Sequence, residues 1–237
     1  MAELTFNGHD LPAGVHVTTL TINSPSVDVE SVTTLARIGE IFTRRHLGPR
    51  VVEIMVTLDG TTIAERMQTI NALNAWAYSE EPAKLTQMGV TGAHLLAVCT
   101  QYVNTDQVNF ADEFKLKFRC LRPEWISDAE ETAELGSFTI LGSLPTPIRI
   151  EQTLESAVSS PVWTFDAGAY TILIDGDVAA GALVIDTETG RVTLDGQDIG
   201  DQVTLMSSPV FALSPGAHTA LGGSGAGGTI YYSRRWL

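Results

Sequence analysis

Two pairs of closely spaced carboxylates are the residues of this chain whose types best fit catalysis or metal binding. Asp175 and Asp177 flank one glycine, and Asp186 and Glu188 flank one threonine. Glycoside hydrolysis needs two carboxyl groups roughly 5–10 Å apart across a cleft, and calcium needs about six oxygen ligands around one point. An aspartate beside a glycine is also a common turn residue, because it bonds its own backbone. The spacing favours turns, with a hydrolase that depends on Asp186 as an alternative.

The other motifs of the chain point to neither a cofactor nor a metal. The segment 223–228 matches GxGxxG, but a strand-like segment follows it, whereas a dinucleotide site needs a helix there. The five histidines are never three or four residues apart, as metal ligands on a helix are. Cys99 and Cys120 lie in separate apolar segments and predict two buried thiols. We therefore expect no catalytic residue, no cofactor and no metal.

The charge of the chain is strongly acidic and unevenly distributed. The 237 residues include 28 acidic and 14 basic side chains, a formal net charge of −14. Such a chain is a poor ligand for duplex DNA or anionic lipid, both of which select basic surfaces. Residues 1–126 carry a net charge of −4 and residues 127–237 carry −10. No segment approaches the ~20 apolar residues of a membrane-spanning helix, and residues 1–20 do not resemble a secretory signal.

The first part of the chain predicts strands around a single helix. Asn7-Gly8 is a tight-turn signal. Apolar residues at positions 63, 67, 70, 73 and 76 recur at helical spacing and predict one buried helical face. Thr62 and Glu65 fit a capping box at the start of that helix. Residues 110–121 alternate apolar and basic side chains, which predicts a strand with its apolar set facing inward.

A basic segment lies between two β-rich runs of this first part. The runs cover residues 27–42 and 51–58, and we interpret them as one long hairpin with a polar tip at 43–50. Arg44, Arg45 and Arg50 make this tip densely basic. The tip is either a solvated turn or an electrostatic contact with an acidic neighbouring subunit.

The second part of the chain predicts an antiparallel β-sandwich. Strand-like segments recur every 8–12 residues with Gly-containing turns between them. These segments are 138–141, 147–152, 162–165, 170–175, 183–186, 191–194, 202–205, 209–213 and 229–236. An acidic, polar run precedes them, so we expect domains at 1–126 and 145–237 joined by a linker at 127–144. The fold class is mainly β: an α+β domain with one helix, followed by an all-β domain.

The order of these features resembles the distal tail proteins of long-tailed, non-contractile bacteriophages. The resemblance rests on an early Phe6-Asn7-Gly8, a hairpin, a helix that ends at Trp76 and a strand that runs into Pro123 and Trp125. It continues through stretches of the second part that resemble that family's galectin-like sandwich. Those stretches are 147–150, 183–192, 211–216 and 230–236. The chain departs from the family pattern at His218, where an asparagine is usual, and in its glycine-rich last loop.

The resemblance implies a structural virion protein without enzymatic activity. Its first domain is expected to form a homohexameric ring at the tail tip, and its second domain, galectin-like, to project outward. The implied partners are the tail tube protein and the hub or tail-associated lysin, with the tape measure and receptor-binding proteins as further candidates. The ring would let DNA pass without specific binding, and the protein would be made in the host bacterial cytoplasm.

A carbohydrate-binding module at the tail tip is the alternative function, because galectin-like sandwiches bind sugars. Sugar binding uses exposed aromatic faces, and Trp163, Tyr170, Tyr231 and Tyr232 are the candidates. The competing interpretation places these four side chains in the core or in an interface.

Overall fold

Alternating apolar and polar residues place most of this chain in antiparallel strands. The computed structural model describes residues 4–33, 38, 40–86, 89–104, 113–204, 208–223 and 227–237. The chain divides into two units, an N-terminal unit of Met1–Trp125 and a C-terminal unit of Ile126–Leu237. None of the helices among the described residues is long and apolar enough to span a bilayer.

The N-terminal unit consists of one helix and two antiparallel sheets within its described part. Its elements are β1 (Thr5–Phe6), β2 (His9–Asp10), β3 (Val15–Ile22), β4 (Val27–Thr33), β5 (Glu40–Leu47), β6 (Arg50–Leu58), α1 (Ile63–Ala77), β7 (Ala83–Thr86), β8 (Ala93–Gln101) and β9 (Phe114–Cys120). The larger sheet has the order β2-β1-β7-β8-β9-β6-β3, whereas β4 and β5 form a separate two-stranded sheet. A short strand, β10 (Trp125–Ser127), spans the boundary between the units.

Helix α1 begins where the sequence predicts and buries only part of the predicted face. The hydroxyl of Thr62 accepts a hydrogen bond from the Glu65 N–H, and the Glu65 carboxylate accepts one from the Thr62 N–H, so the capping box is confirmed. Hydrogen bonds from the Thr61 and Thr62 N–H groups hold the pKa of the Glu65 carboxyl below its usual value. Ile70, Leu73 and Trp76 are buried, but Ile63 and Met67 are exposed. The prediction for these last two is wrong because the first turns of α1 extend beyond the core.

The core of the N-terminal unit centres on three aromatic rings. Phe6 from β1, Trp76 from α1 and Phe118 from β9 have ring centroids 5.0–6.1 Å apart. The indole N–H of Trp76 donates to the His9 carbonyl at 2.9 Å, which joins the helix to the first hairpin. Alternate residues of β9 are buried, as its apolar and basic pattern predicts. The Asn7-Gly8 turn is also confirmed, since both residues have positive φ angles between β1 and β2.

The predicted long hairpin is wrong in its register. Residues 43–47 belong to β5, which pairs with β4, and β6 instead pairs with β3 and β9. The basic run is therefore not a tip: Arg44 lies opposite Glu30, and His46 lies opposite Asp28. Opposite charges on facing strands stabilise this pairing. Most of the residues between Thr33 and Glu40 lie outside the described residues.

The C-terminal unit is a two-sheet sandwich, as the strand spacing predicts. Its strands are β11 (Glu131–Glu134), β12 (Ser137–Ile140), β13 (Arg149–Leu154), β14 (Val158–Ser159), β15 (Val162–Phe165), β16 (Tyr170–Leu173), β17 (Asp177–Val178), β18 (Gly181–Asp186), β19 (Arg191–Leu194), β20 (Gln197–Asp198), β21 (Gly216–Leu221), β22 (Gly228–Tyr232) and β23 (Arg235–Trp236). One sheet has the order β11-β22-β13-β18-β19-β20, and the other has the order β12-β21-β15-β16. Buried residues of both sheets form one apolar cluster around Trp163.

Three segments of the C-terminal unit differ from the sequence predictions. The segment 127–144, predicted as a linker, contains β11 and β12, which pair with β22 and β21 of the sandwich. Its acidic residues resemble a linker because β11 is an edge strand whose side chains are only partly covered. The predicted strands 202–205 and 209–213 form only isolated bridges, at Val203 and Leu213 among their described residues.

Candidate functional site

The hairpin formed by β4 and β5 is the candidate functional site of the N-terminal unit. Its strands pair only with each other among the described strands. A residue is bulged out of β5 at Thr43, where the register shifts between the Glu30–Arg44 and Ser31–Phe42 pairs. At its base, the Gly48 N–H donates to the Ser26 carbonyl at 2.8 Å. A Cβ atom at Gly48 would lie 2.0 Å from the Ser26 hydroxyl, so any larger residue there would force the Ser26 side chain to move.

The two faces of the hairpin differ in chemistry. Because facing residues share a side of the sheet, the register places Val27 and Val29 with Leu47 and Arg45 on one face. Phe42 continues this apolar face beyond the bulge. The opposite face carries most of the charged residues, namely Asp28, Glu30, Arg44 and His46, with Val32 beyond the bulge. The hairpin is thus amphipathic.

Both faces of this hairpin are open to solvent. On the apolar face, Val27 is 48% exposed, Val29 is 59% exposed and Phe42 is 62% exposed. An isolated two-stranded hairpin is at best marginally stable in water, and exposed apolar strands pair readily with another chain. The hairpin therefore presents an apolar face and two outer edges that no other described strand covers. We call this surface the arm.

The three arginines predicted at a subunit interface occupy different environments. Arg44 donates twice to the Glu30 carboxylate at 2.7 Å, which raises the pKa of Arg44. Arg45 is exposed beside Val29 on the apolar face of the arm. Arg50 is buried: its Nε donates to the Pro123 carbonyl at 2.9 Å, and burial lowers its pKa. The structure therefore keeps Arg44 and Arg45 together on the arm and separates Arg50 from them.

The four aromatics predicted to face glycans are mostly covered. Trp163 is fully buried, and its indole N–H donates to Gln152 Oε1 at 2.8 Å. Tyr232 is also buried. Tyr170 stacks on Phe211 at 4.8 Å. The guanidinium of Arg149 lies over the ring of Tyr231, 4.6 Å from its centroid. A sugar would need an open ring face, so Trp163 and Tyr232 do not provide the platform that the alternative function requires.

The carboxylate pairs of the C-terminal unit lie in turns and ion pairs. Asp186 accepts hydrogen bonds from the Glu188 N–H and the Thr189 hydroxyl, and Glu188 accepts two from Arg235. Asp175 and Asp177 flank Gly176, which has a positive φ of 86°. Within the described ranges, no three His, Cys, Asp or Glu side chains converge as a metal site. Of the GxGxxG segment, residues 224–226 lie outside the described residues, and strand β22 begins at its last residue, Gly228.

The cysteines are held in weakly reactive forms. Burial raises the pKa of Cys99 to about 11 and that of Cys120 to about 12. Because the thiolate is the nucleophilic form, neither side chain suits nucleophilic catalysis near neutral pH.

The comparisons with known proteins agree with this architecture. Residues 141–236 match the profile of the siphovirus-type tail component, C-terminal domain. The C-terminal unit is therefore similar to this family over most of its length. The sequence resemblance to siphophage distal tail proteins is thereby confirmed. No curated protein matches the chain.

Solved structures extend the likeness in fold to the whole chain. The Dit protein of phage SPP1, described as a paradigm of the hub adsorption apparatus in phages that infect Gram-positive bacteria, superposes with a TM-score of 0.80 at 17% identity. The match covers 99% of both chains. Chains of the phage p2 baseplate in its activated conformation with Ca and with Sr give TM-scores of 0.55 and 0.57 at 9% identity. These matches cover 95% and 98% of this chain, and 92% and 97% of those chains.

Sequence reasoning missed the apolar face of the arm. Val27, Asp28, Val29 and Glu30 alternate strictly, which is the pattern of an amphipathic strand. The same pattern usually marks a strand whose apolar side faces the core, so the sequence gives no sign that Val27 and Val29 remain exposed. That distinction depends on the absence of a covering layer, which only the folded structure shows.

Proposed function

We propose that this tail component is a subunit of a homohexameric ring at the distal end of a phage tail. The ring would join the tail tube to the hub or tail-associated lysin, and it would let DNA pass. It would act without catalysis and be made in the host bacterial cytoplasm. Tape measure and receptor-binding proteins are further candidate partners. The single observation that carries this proposal is the arm, an amphipathic hairpin with an uncovered apolar face.

In a closed ring, the arm of each subunit would contact the arms of the neighbouring subunits. In a cyclic assembly every subunit offers one surface and receives another, so all six arms are covered by the same contact. Pairing of each arm with its neighbours would join the outer edges of β4 and β5 into a closed cylinder, which has no exposed edges. The net charge of −4 on residues 1–126 is compatible with a channel to which DNA does not adhere.

A matched pair of aspartate variants tests the role of the arm. Val29 lies on the apolar face and is 59% exposed, whereas Val32 follows on the opposite face and is 53% exposed. Val29→Asp is expected to shift the chain from hexamer to monomer in sedimentation velocity, because a charge buried in an apolar contact is costly. Val32→Asp is expected to leave the hexamer in place. A Val29→Asp chain that still sediments as a hexamer would contradict the proposal.

A further inference from the structure

His218 joins three segments of the C-terminal unit through one imidazole ring. It lies in β21 opposite Phe138 of β12, and its side chain is only 9% exposed. Its Nδ1 atom lies 2.7 Å from Oδ2 of Asp166, in the turn after β15. Its Nε2 atom lies 2.6 Å from the carbonyl oxygen of Ser214, in the segment before β21. Both ring nitrogens are therefore at hydrogen-bond distance from another segment.

Both partners of this ring are acceptors. A peptide carbonyl cannot donate a hydrogen bond, and neither can an ionised carboxylate. Asp166 is also an acceptor elsewhere, because its Oδ1 receives a hydrogen bond from the Thr219 N–H at 3.1 Å. A neutral imidazole has one donor nitrogen and one acceptor nitrogen, so it satisfies one of the two contacts, whereas an imidazolium satisfies both. The geometry around His218 thus fits the protonated ring.

Loss of one proton from this ring would break the contact to Ser214 rather than the contact to Asp166. A hydrogen bond to a carboxylate is stronger than one to a neutral carbonyl, so the neutral ring keeps its proton on Nδ1. Nε2 would then present a lone pair to the Ser214 carbonyl oxygen, and two acceptors at 2.6 Å cannot form a hydrogen bond. A cavity of about 280 Å³ lies beside the ring, where the released proton can pass to water.

The segment that carries Ser214 has its backbone held at separate points. Residues 208–215 form no strand, and Val210 among them is 56% exposed. The Phe211 N–H donates to the Thr187 carbonyl at 3.2 Å, and the Leu213 N–H donates to the Thr146 carbonyl at 2.9 Å. Ser214 follows directly, so the His218 contact holds the end of this segment that leads into β21.

Asp166 is the titratable neighbour of His218. The described segment 208–215 and the strands β12 and β15 contain no ionisable side chain, and β21 contains none besides His218. In β16, the ring of Tyr170 stacks on Phe211 at 4.8 Å. The protonation of His218 and the charge of Asp166 therefore decide whether the contact to Ser214 forms.

We propose that His218 is a pH-sensitive clasp for residues 208–215. The protonated ring holds Ser214 and Asp166 together, and loss of the Nε2 proton as the pH rises releases Ser214 while the contact to Asp166 remains. The segment 208–215 then loses its attachment beside β21. This device belongs to the C-terminal unit alone, so it does not depend on the assembly of a ring.

NMR of the ring nitrogens, in protein with isotopically labelled histidine, tests the protonation step. Both nitrogens of His218 are expected to carry protons at the acidic end of a series from about pH 5 to 9. Nε2 alone should lose its proton as the pH rises. A ring whose protonation does not change across this series, or a neutral ring that keeps its proton on Nε2, would overturn the proposal.

Amide hydrogen exchange at the same pH values tests the release of the segment. The protection of the Leu213 N–H, corrected for the intrinsic effect of pH, is expected to fall by about tenfold or more when His218 loses its proton. The Ala220 N–H of β21 donates to the Gly136 carbonyl at 2.7 Å and should stay protected. Constant protection of Leu213 while His218 titrates would contradict the release.

Two histidine variants separate this clasp from other effects of pH. The amide of asparagine can replace Nδ1 but has no counterpart of Nε2, so His218→Asn is expected to show low protection of Leu213 at every pH. His16→Asn is the matched control, because His16 also contacts a carboxylate, that of Asp59 at 2.9 Å, but is exposed. It should keep the pH dependence of the original chain. A His218→Asn chain that also keeps this dependence would show that another group causes it and would refute the clasp.

Discussion

Arg44 and Glu30 form a two-point ion pair across the β4–β5 hairpin, with the guanidinium Nε and Nη2 each 2.7 Å from a carboxylate oxygen. Both side chains are more than half exposed, so the pair fixes the register of the arm more than it adds stability. The pair also directs Arg44 toward its own subunit. Arg45, one residue later, lies on the other face beside Val29 and remains available to a neighbour.

Charge reversal at Arg45 is therefore expected to affect assembly more than charge removal at Arg44. Arg45→Glu puts an acidic group on the apolar face of the arm in an already acidic chain, and it should weaken the hexamer by about tenfold or more in apparent affinity. Arg44→Gln should change it by less than about threefold, because an ion pair exposed to water contributes little. Sedimentation velocity over a dilution series measures both. Equal effects of the two variants would show that the faces of the arm do not have distinct roles.

The buried Trp163–Gln152 hydrogen bond supports the core of the C-terminal unit. Trp163→Phe removes the indole donor and leaves Gln152 Oε1 without that bond, which should lower the free energy of unfolding by about 1–3 kcal/mol. Tyr170→Phe, at a half-buried ring stacked on Phe211, is the control and should cost less than about 0.5 kcal/mol. Urea unfolding of the full chain measures both values. An unchanged stability of Trp163→Phe would show that the hydrogen bond from the indole to Gln152 does not stabilise the core.

Asp166 makes the C-terminal unit sensitive to acid. Burial alone would raise the pKa of Asp166, but hydrogen bonds from His218 Nδ1 at 2.7 Å and from the Thr219 N–H at 3.1 Å outweigh it and hold the pKa below 3.8. A lowered carboxyl pKa stabilises the fold above the ordinary value, and that stability is lost as the pH falls through the folded pKa. The original chain should therefore lose stability below about pH 4 more steeply than Asp166→Asn does.

The control for this acid dependence is Asp175→Asn, which changes an exposed carboxylate after β16. Its unfolding free energy should follow the same pH dependence as the original chain between about pH 5 and 2. Asparagine is also tolerated at the positive φ of 50° found at position 166, so backbone strain does not confuse the comparison. Parallel pH profiles for Asp166→Asn and the original chain would show that the His218 contact does not stabilise the fold.

Local signals of the sequence predict local structure well in this chain. The Thr62–Glu65 capping box depends on residues three apart, and the buried face of β9 depends on strict alternation, so both are readable from short windows. The resemblance to distal tail proteins likewise depends on the order of such elements. Each of these features can be predicted without knowing which distant residues pair with it.

Features that depend on distant pairing were not predictable in the same way. The basic residues 44–46 belong to a strand because Glu30 and Asp28 face them, and no local pattern distinguishes this from a turn. The acidic sequence of β11 predicts a linker. Only its pairing with β22, about a hundred residues later in the chain, shows that it is a strand. Its position near Arg44 and Arg45 predicts that Arg50 is part of an exposed basic patch. In the structure, Arg50 donates to the carbonyl of Pro123 and lies over the ring of Trp125. The arm is exposed because no other described strand packs on its apolar face, and no local pattern of the sequence indicates this.

The central claim, a ring of six subunits, is tested most directly by imaging the purified protein. Class averages from electron microscopy, with native mass spectrometry on the same sample, are expected to show a sixfold ring with an open centre and a mass six times the 25.4 kDa of one chain. The Val29→Asp chain should give single subunits in the same experiment. Monomers alone from the original chain at every concentration, or rings of another symmetry, would contradict the account.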